Sequence, residues 1–204
     1  MNGDHKKNMS AKFKIVLLGQ YGVGKSSIFL RIRDGEFLGN AMSTIGVDYC
    51  IKDLKTEGTT IQLSLWDTAG VEKYRTLTQN FYRNADAVLY VFSVNEPTSL
   101  LCLNQWEEEV KRCSPSALRF LIGNKADLSL FITRELMEGE ARKLNCESVF
   151  IMSAKTGNGV VGVLETVSKH LLSFHKESRN KDEIFFSDDS IHVNQGQVKK
   201  STCC

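Results

Sequence analysis

The run Gly19-Gln20-Tyr21-Gly22-Val23-Gly24-Lys25-Ser26 puts three glycines, a lysine and a hydroxyl into one turn after the apolar stretch 12–18. Glycine lets a backbone curl until successive N–H groups point at one place, and a helix starting there adds the positive end of its dipole. The spacing is G-x-x-x-x-G-K-[ST], a cradle for phosphate oxygens. In such a cradle Lys25 binds the outer phosphates and the Ser26 hydroxyl ligates Mg2+. Gly19, Gly22, Val23, Gly24, Lys25, Ser26 and Ser27 are the expected phosphate-binding residues.

Two later stretches can read a base. Asn124-Lys125-Ala126-Asp127 follows an apolar run at 118–123, and Ser153-Ala154-Lys155 follows another that ends at Met152. In open parallel sheets, ligands bind at the carboxyl ends of strands, where both stretches fall. A carboxylate at Asp127 accepts two hydrogen bonds from a purine with adjacent N–H donors at N1 and the 2-amino group. Guanine has that pair and adenine does not. The Ala154 N–H is placed to donate to guanine O6, and Asn124, Lys125, Ser153 and Lys155 complete the expected base site. Phe37 is expected to flank the ring.

A third constellation concerns the metal and the terminal phosphate. Asp67-Thr68-Ala69-Gly70 ends an apolar run, so Asp67 suits Mg2+, usually through a bound water, and the Gly70 N–H suits a γ-phosphate oxygen. Thr44, in Ser43-Thr44-Ile45-Gly46, offers a second hydroxyl to Mg2+.

The elements between these motifs must bring them together. Short apolar runs alternate with amphipathic stretches from Lys12 to about Lys176, which predicts parallel strands joined by helical crossovers. Strands are expected at 12–18, 46–54, 60–66, 86–93, 118–123 and 147–152, with the second and third joined by a hairpin turning on Glu57-Gly58. Helices are expected at 25–34, 98–112, 134–145 and 159–175. In the second, Leu100, Leu103, Trp106 and Val110 share one face, while Glu107-Glu108-Glu109 reads as a solvated face. The domain plan is an N-terminal extension over 1–10, a nucleotide-binding domain over 11–176 and a flexible polar tail over 177–204.

Composition narrows the function classes. The 204 residues carry 26 basic and 24 acidic side chains, which gives no global case for nucleic-acid binding. No apolar run reaches the length of a membrane span, and the polar start Met1 to Asn8 carries no secretory signal. Cys50, Cys102, Cys113 and Cys146 are widely spaced and read as reduced thiols. The histidines His5, His170, His175 and His192 have no metal-ligand spacing. Tail charges balance, Lys176, Arg179, Lys181, Lys199 and Lys200 against Glu177, Asp182, Glu183, Asp188 and Asp189, so the tail is no polybasic membrane patch.

In order and spacing, GQYGVGKS, STIGVDY, WDTAG, NKAD and SAK resemble the Ras superfamily of small GTPases. STIGVDY, the run KYRTLTQNFYRNADAVLYVF and the terminal Cys203-Cys204 resemble its Rab family. The resemblance covers roughly residues 10–175 and the last two. It implies a P-loop G domain of α/β class, with a six-stranded, mostly parallel sheet flanked by five helices, binding GDP or GTP with Mg2+. It also implies switch segments near 38–47 and 68–84 that order around the γ-phosphate. Ile45, Tyr49, Trp66 and Phe81 fall where Rabs meet effectors, although Trp66 and Phe81 suit a core equally well. Cys203 and Cys204 fit double geranylgeranylation, since one lipid chain gives only marginal membrane binding. The implied setting is a monomeric GTP phosphohydrolase on the cytosolic face of an endomembrane, acting in vesicle trafficking. Its implied partners are effectors, an exchange factor, the prenylation machinery and a GDP-dissociation inhibitor, with no nucleic acid.

Two positions depart from the family pattern. Val71 stands where the family usually has the glutamine that orients the attacking water. Tyr21 stands in the phosphate loop where Ras has Gly and many Rabs a small residue. Both lead to the expectation of slow hydrolysis, and of a rival role as a GTP-held recruitment module controlled by exchange. A P-loop kinase or ATPase of another class is the second rival; Asp127 and the lack of room for an acceptor lid count against it.

Overall fold

The residues Ala87–Ser93 are buried without exception, the mark of a strand covered on both faces. The computed structural model describes residues 11–39, 47–68 and 81–188, with side chains to 179. Its strands are β1 (Lys12–Leu18), β2 (Val47–Thr56), β3 (Thr59–Thr68), β4 (Ala87–Ser93), β5 (Leu118–Asn124) and β6 (Ser148–Ile151). They form one six-stranded sheet in the order β2-β3-β1-β4-β5-β6. Only β2 and β3 are antiparallel; every other neighbour pair is parallel. Their hairpin turns on Glu57 (φ 49) and Gly58 (φ 75), the two positive-φ residues that a tight hairpin matched to strand twist requires.

Helices α1 (Lys25–Asp34), α2 (Pro97–Leu101), α3 (Asn104–Cys113), α4 (Arg134–Lys143) and α5 (Val160–Asp188) are the described ones. Alternation along β1 divides the core in two. Ile15 and Leu17 join Ile28, Phe29 and Ile32 of α1 and Val163, Val167 and Leu171 of α5 on one face. Val16 and Leu18 join Leu103, Trp106 and Val110 beside α3, and Met137 and Ala141 of α4, on the other. The chain divides into two compact units, Met1–Leu172, which holds the sheet, and Ser173–Cys204.

Three expectations need correction. The helix expected at 98–112 is interrupted at Cys102 and Leu103, where Leu103 N–H bonds Leu100 O and Trp106 N–H bonds Leu103 O in tighter three-residue steps. Its four apolar residues are buried all the same. The last helix runs to Asp188, past the expected end at 175 and into the segment expected to be a flexible tail. That stretch has no Gly or Pro to stop it. Glu107 is not a solvated residue: it is 3% exposed, accepting from the Tyr90 hydroxyl at 2.5 Å and facing the Arg119 guanidinium at 3.4 Å. A carboxylate that deep is held by a hydroxyl and a counter-charge. In return Glu107 and burial push the Tyr90 phenol far up, with burial the larger cause.

A cleft at the carboxyl edge of the sheet

β1 ends at buried Leu18 and the chain turns at Gly19 (φ 149). A Cβ there would stand 2.1 Å from the Val91 carbonyl oxygen of β4, so no larger residue lets the two strands pass this closely. The N-cap of α1 is Gly24, left-handed at φ 95, with no side-chain cap. A Cβ on Gly24 would meet Asn124 Nδ2 at 2.4 Å. Lys25, 5% exposed, donates to Gly19 O at 2.8 Å and to Gln20 O at 3.0 Å. It is a buried cation held by loop carbonyls beside a helix N-terminus, which suits an anionic ligand.

Asn124 ends β5 and is 2% exposed. Its Oδ1 accepts from Ala154 N–H at 3.0 Å, while Nδ2 donates to Val23 O at 3.0 Å and Gly24 O at 3.5 Å. This one carboxamide therefore braces the phosphate loop against the 153–155 loop. The Ala154 N–H, expected to face a base oxygen, is here given to Asn124 Oδ1.

Asp127 accepts from the Ser153 hydroxyl at 2.6 Å, and Lys155 Nζ lies 3.6 Å from its other oxygen. The Ser153 hydrogen bond, aided by the Lys155 charge, holds its carboxyl below the usual carboxylate range. Ser153 also accepts from Thr156 N–H at 3.1 Å, so the orienting hydroxyl is itself fixed.

Between these groups is a cavity of about 270 Å³, lined by Gly22, Gly24, Ser27, Phe37, Asn124, Lys125, Asp127, Leu128, Ala154 and Lys155. That is near the lower end of small-molecule sites, about 300 Å³. The structure thus unites residues from the phosphate loop, the stretch after α1, and the loops after β5 and β6. Asp67, 2% exposed, is the next-to-last residue of β3, in register with Leu17, and Thr68, which ends the strand, donates to Leu17 O at 2.8 Å. A buried carboxylate at this edge and a hydroxyl on the first turn of α1 are hard oxygen donors, which fits Mg2+. Tyr21 is 60% exposed and does not line the cavity. Thr44, Ile45, Gly70, Val71, Cys203 and Cys204 lie outside the described residues.

The expected aromatic group is assembled. Tyr49 stacks on Trp66 at 5.3 Å between centroids, and Phe81 meets Trp66 at 6.1 Å. Cross-strand register places Tyr49 opposite Trp66, and the Lys14 ammonium sits 4.8 Å over the Trp66 ring. Trp66 and Phe81 are partly exposed, with Tyr49 58% exposed.

Two contributors escaped the sequence reading. Leu128 lines the cavity. Arg31, in the last turn of α1, donates to Ala154 O at 2.8 Å and Lys155 O at 2.7 Å. No sequence signal marks an arginine there beyond ordinary helix-end chemistry.

A family model described as the Ras family matches residues 14–173. The GTP-binding protein ypt1 of Schizosaccharomyces pombe is 34% identical over 203 residues, covering 94% of this chain and 96% of that protein. The Ras-related protein RabC of Dictyostelium discoideum is 31% identical over 196 residues, covering 94% and 97%. The GTP-binding protein YPTM2 of Zea mays is 42% identical over 118 residues, covering 57% and 58%.

Proposed function

This chain belongs to the Ras family and, within it, to the Rab small GTPases, and on that premise we propose that it is a guanine-nucleotide switch of vesicle trafficking that hydrolyses GTP slowly. The observation that carries the site assignment is Asp127, its ionised form favoured by Ser153, in one cavity with Phe37, Asn124 and the phosphate loop. Such a carboxylate pairs with the N1–H and 2-amino donors of guanine. Lys25 faces the outer phosphates, with Gly19, Gly22, Val23 and Gly24 shaping the backbone around them. Ser26, Thr44 and Asp67 are the proposed holders of Mg2+, which when bound neutralises charge between the outer phosphates. Gly70 is assigned to the γ-phosphate.

Tyr49, Trp66 and Phe81, continued by Ile45, form the proposed effector surface. Tyr49 is exposed and Trp66 and Phe81 partly so, and aromatics at a surface are the kind of residue that anchors interfaces. Exchange factors and a GDP-dissociation inhibitor are the proposed regulators. A second reading, a GTP-held recruitment module governed by exchange alone, is favoured by Val71 and Tyr21. A valine offers no hydrogen bond to a water, and a phenol ring crowds the side from which an activating residue would enter.

Displacement of a fluorescent GDP tests the base assignment. Unlabelled GDP and GTP are expected to displace it stoichiometrically, and ADP and ATP to fail even in large excess; equal potency of ADP would refute it. The proposed double lipid anchor has its own test: Cys203→Ser with Cys204→Ser is expected to move the protein from the membrane to the soluble fraction of cells. Continued membrane association would remove the anchor from the reading.

A further inference from the structure

We infer that Arg31 is a positioning residue for the base, tying the connection after α1 to the 153–155 loop so that the two walls of the cavity hold or open together. The inference rests on the assignment of guanine to that cavity.

A guanidinium carries five N–H donors in a rigid planar fork. Arg31 directs three groups of that fork at three carbonyls. Nε donates to Ala154 O at 2.8 Å, Nη2 to Lys155 O at 2.7 Å and Nη1 to Gly35 O at 2.5 Å. The contact with Gly35 is closed in both directions, since Gly35 N–H donates back to Arg31 O at 3.1 Å as the left-handed C-cap of α1. Two residues beyond Gly35 lies Phe37, on one wall of the cavity; Ala154 and Lys155 lie on another.

Asn124 takes the Ala154 N–H from the inside of the sheet, and Arg31 takes its carbonyl from the side of α1. The peptide units around Ala154 are thus gripped from two elements. Without Arg31, the inner grip of Asn124 and Ser153 remains and the outer one is lost. A lysine cannot replace the fork, because one compact ammonium does not span three carbonyls on two segments. Displacement of residues 35–39 by a partner therefore reaches the 153–155 loop through Arg31, a direct route by which such a partner speeds release of the base.

The test compares Arg31→Ala, Arg31→Lys and Asp127→Asn with the wild type, all loaded with radiolabelled GDP or IDP. IDP keeps the O6 of guanine and lacks its 2-amino group. Each Arg31 variant is expected to release GDP and IDP faster by the same factor, about tenfold, the equivalent of one charged hydrogen bond. Hydrogen exchange of the GDP-bound protein supplies a readout separate from binding. The amides of Ser153, Ala154, Thr156, Gly157, Asn158 and Gly35, each hydrogen-bonded in the structure, are expected to exchange faster, while β1 and β4 stay as slow as in the wild type. Release within twofold of wild type in both Arg31 variants overturns the inference. So does faster exchange throughout β1 and β4, which would make Arg31 a support of the whole fold. Unchanged GDP release in Asp127→Asn would instead overturn the placement of guanine.

Discussion

Replacing Asp127 with Asn is expected to weaken GDP binding by about 10²- to 10⁴-fold. The carboxylate accepts two charge-assisted hydrogen bonds from guanine, each worth about 1.5–3 kcal/mol, and tenfold in affinity is about 1.4 kcal/mol. A carboxamide turns an N–H toward one of those donors, so one contact becomes donor against donor. IDP offers a single N–H to Asp127, so its affinity is expected to fall less, by about 10- to 100-fold. Titration calorimetry of both ligands on wild type and variant measures the difference. An equal loss for GDP and IDP would remove Asp127 from recognition of the 2-amino group.

The same residue sets a pH dependence. The Ser153 hydroxyl, with Lys155, lowers the Asp127 pKa in the folded chain. A lowered carboxylate pKa favours the native state above the unfolded value, near 3.9. That contribution is lost as pH falls through the lower native value. Within the cavity, GDP affinity is therefore expected to stay level from neutral pH down to the ordinary carboxylate range as far as Asp127 is concerned. Ser153→Ala raises the pKa and moves the fall in affinity to higher pH.

Single-turnover hydrolysis is expected to leave bound GTP largely intact over many hours with Mg2+ present. In Ras, a relative that keeps the glutamine, the intrinsic rate constant is about 3–5 × 10⁻⁴ s⁻¹, a half-life of about half an hour. Val71 cannot orient a water, and misplacing a reacting group by about 1 Å costs about 10²-fold. Val71→Gln combined with Tyr21→Gly is accordingly expected to shorten the lifetime of bound GTP by about 10²-fold, with GDP affinity little changed, because neither side chain builds the phosphate cradle. The double substitution also opens the route for an arginine supplied in trans, worth about 10³- to 10⁵-fold in this chemistry. Bound GTP and GDP separated by chromatography give the rate. Prompt conversion by the wild type would mean that another group orients the water, and an ordinary switch cycle would follow.

Much of the site was legible in the chain because its requirements are local. A phosphate loop needs glycines with positive φ next to a helix start, and those needs appear as a spacing in Gly19 to Ser26. The alternation of apolar runs located all six strands, and Glu57-Gly58 announced the hairpin. Helix ends were less legible, since nothing in 176–188 resembles a stop signal.

Other features depend on groups far apart in the chain, and no local pattern encodes them. Asn124 is bonded to a carbonyl 101 positions away. Arg31 grips Ala154 across 123 positions, and its partners are carbonyls, which every residue has. In the sequence Glu107 reads as one of three solvated acids, yet Tyr90 and Arg119, 17 and 12 positions away, hold it in the interior. Residue type and spacing were enough to nominate the segments proposed for phosphate and base, because donor sets and backbone conformations are properties of short segments. Which of these groups meet, and which carbonyl or hydroxyl each one takes, followed from the strand order β2-β3-β1-β4-β5-β6. Hydrogen bonds form over about 3 Å, and only the packed sheet brings such distant segments within that range.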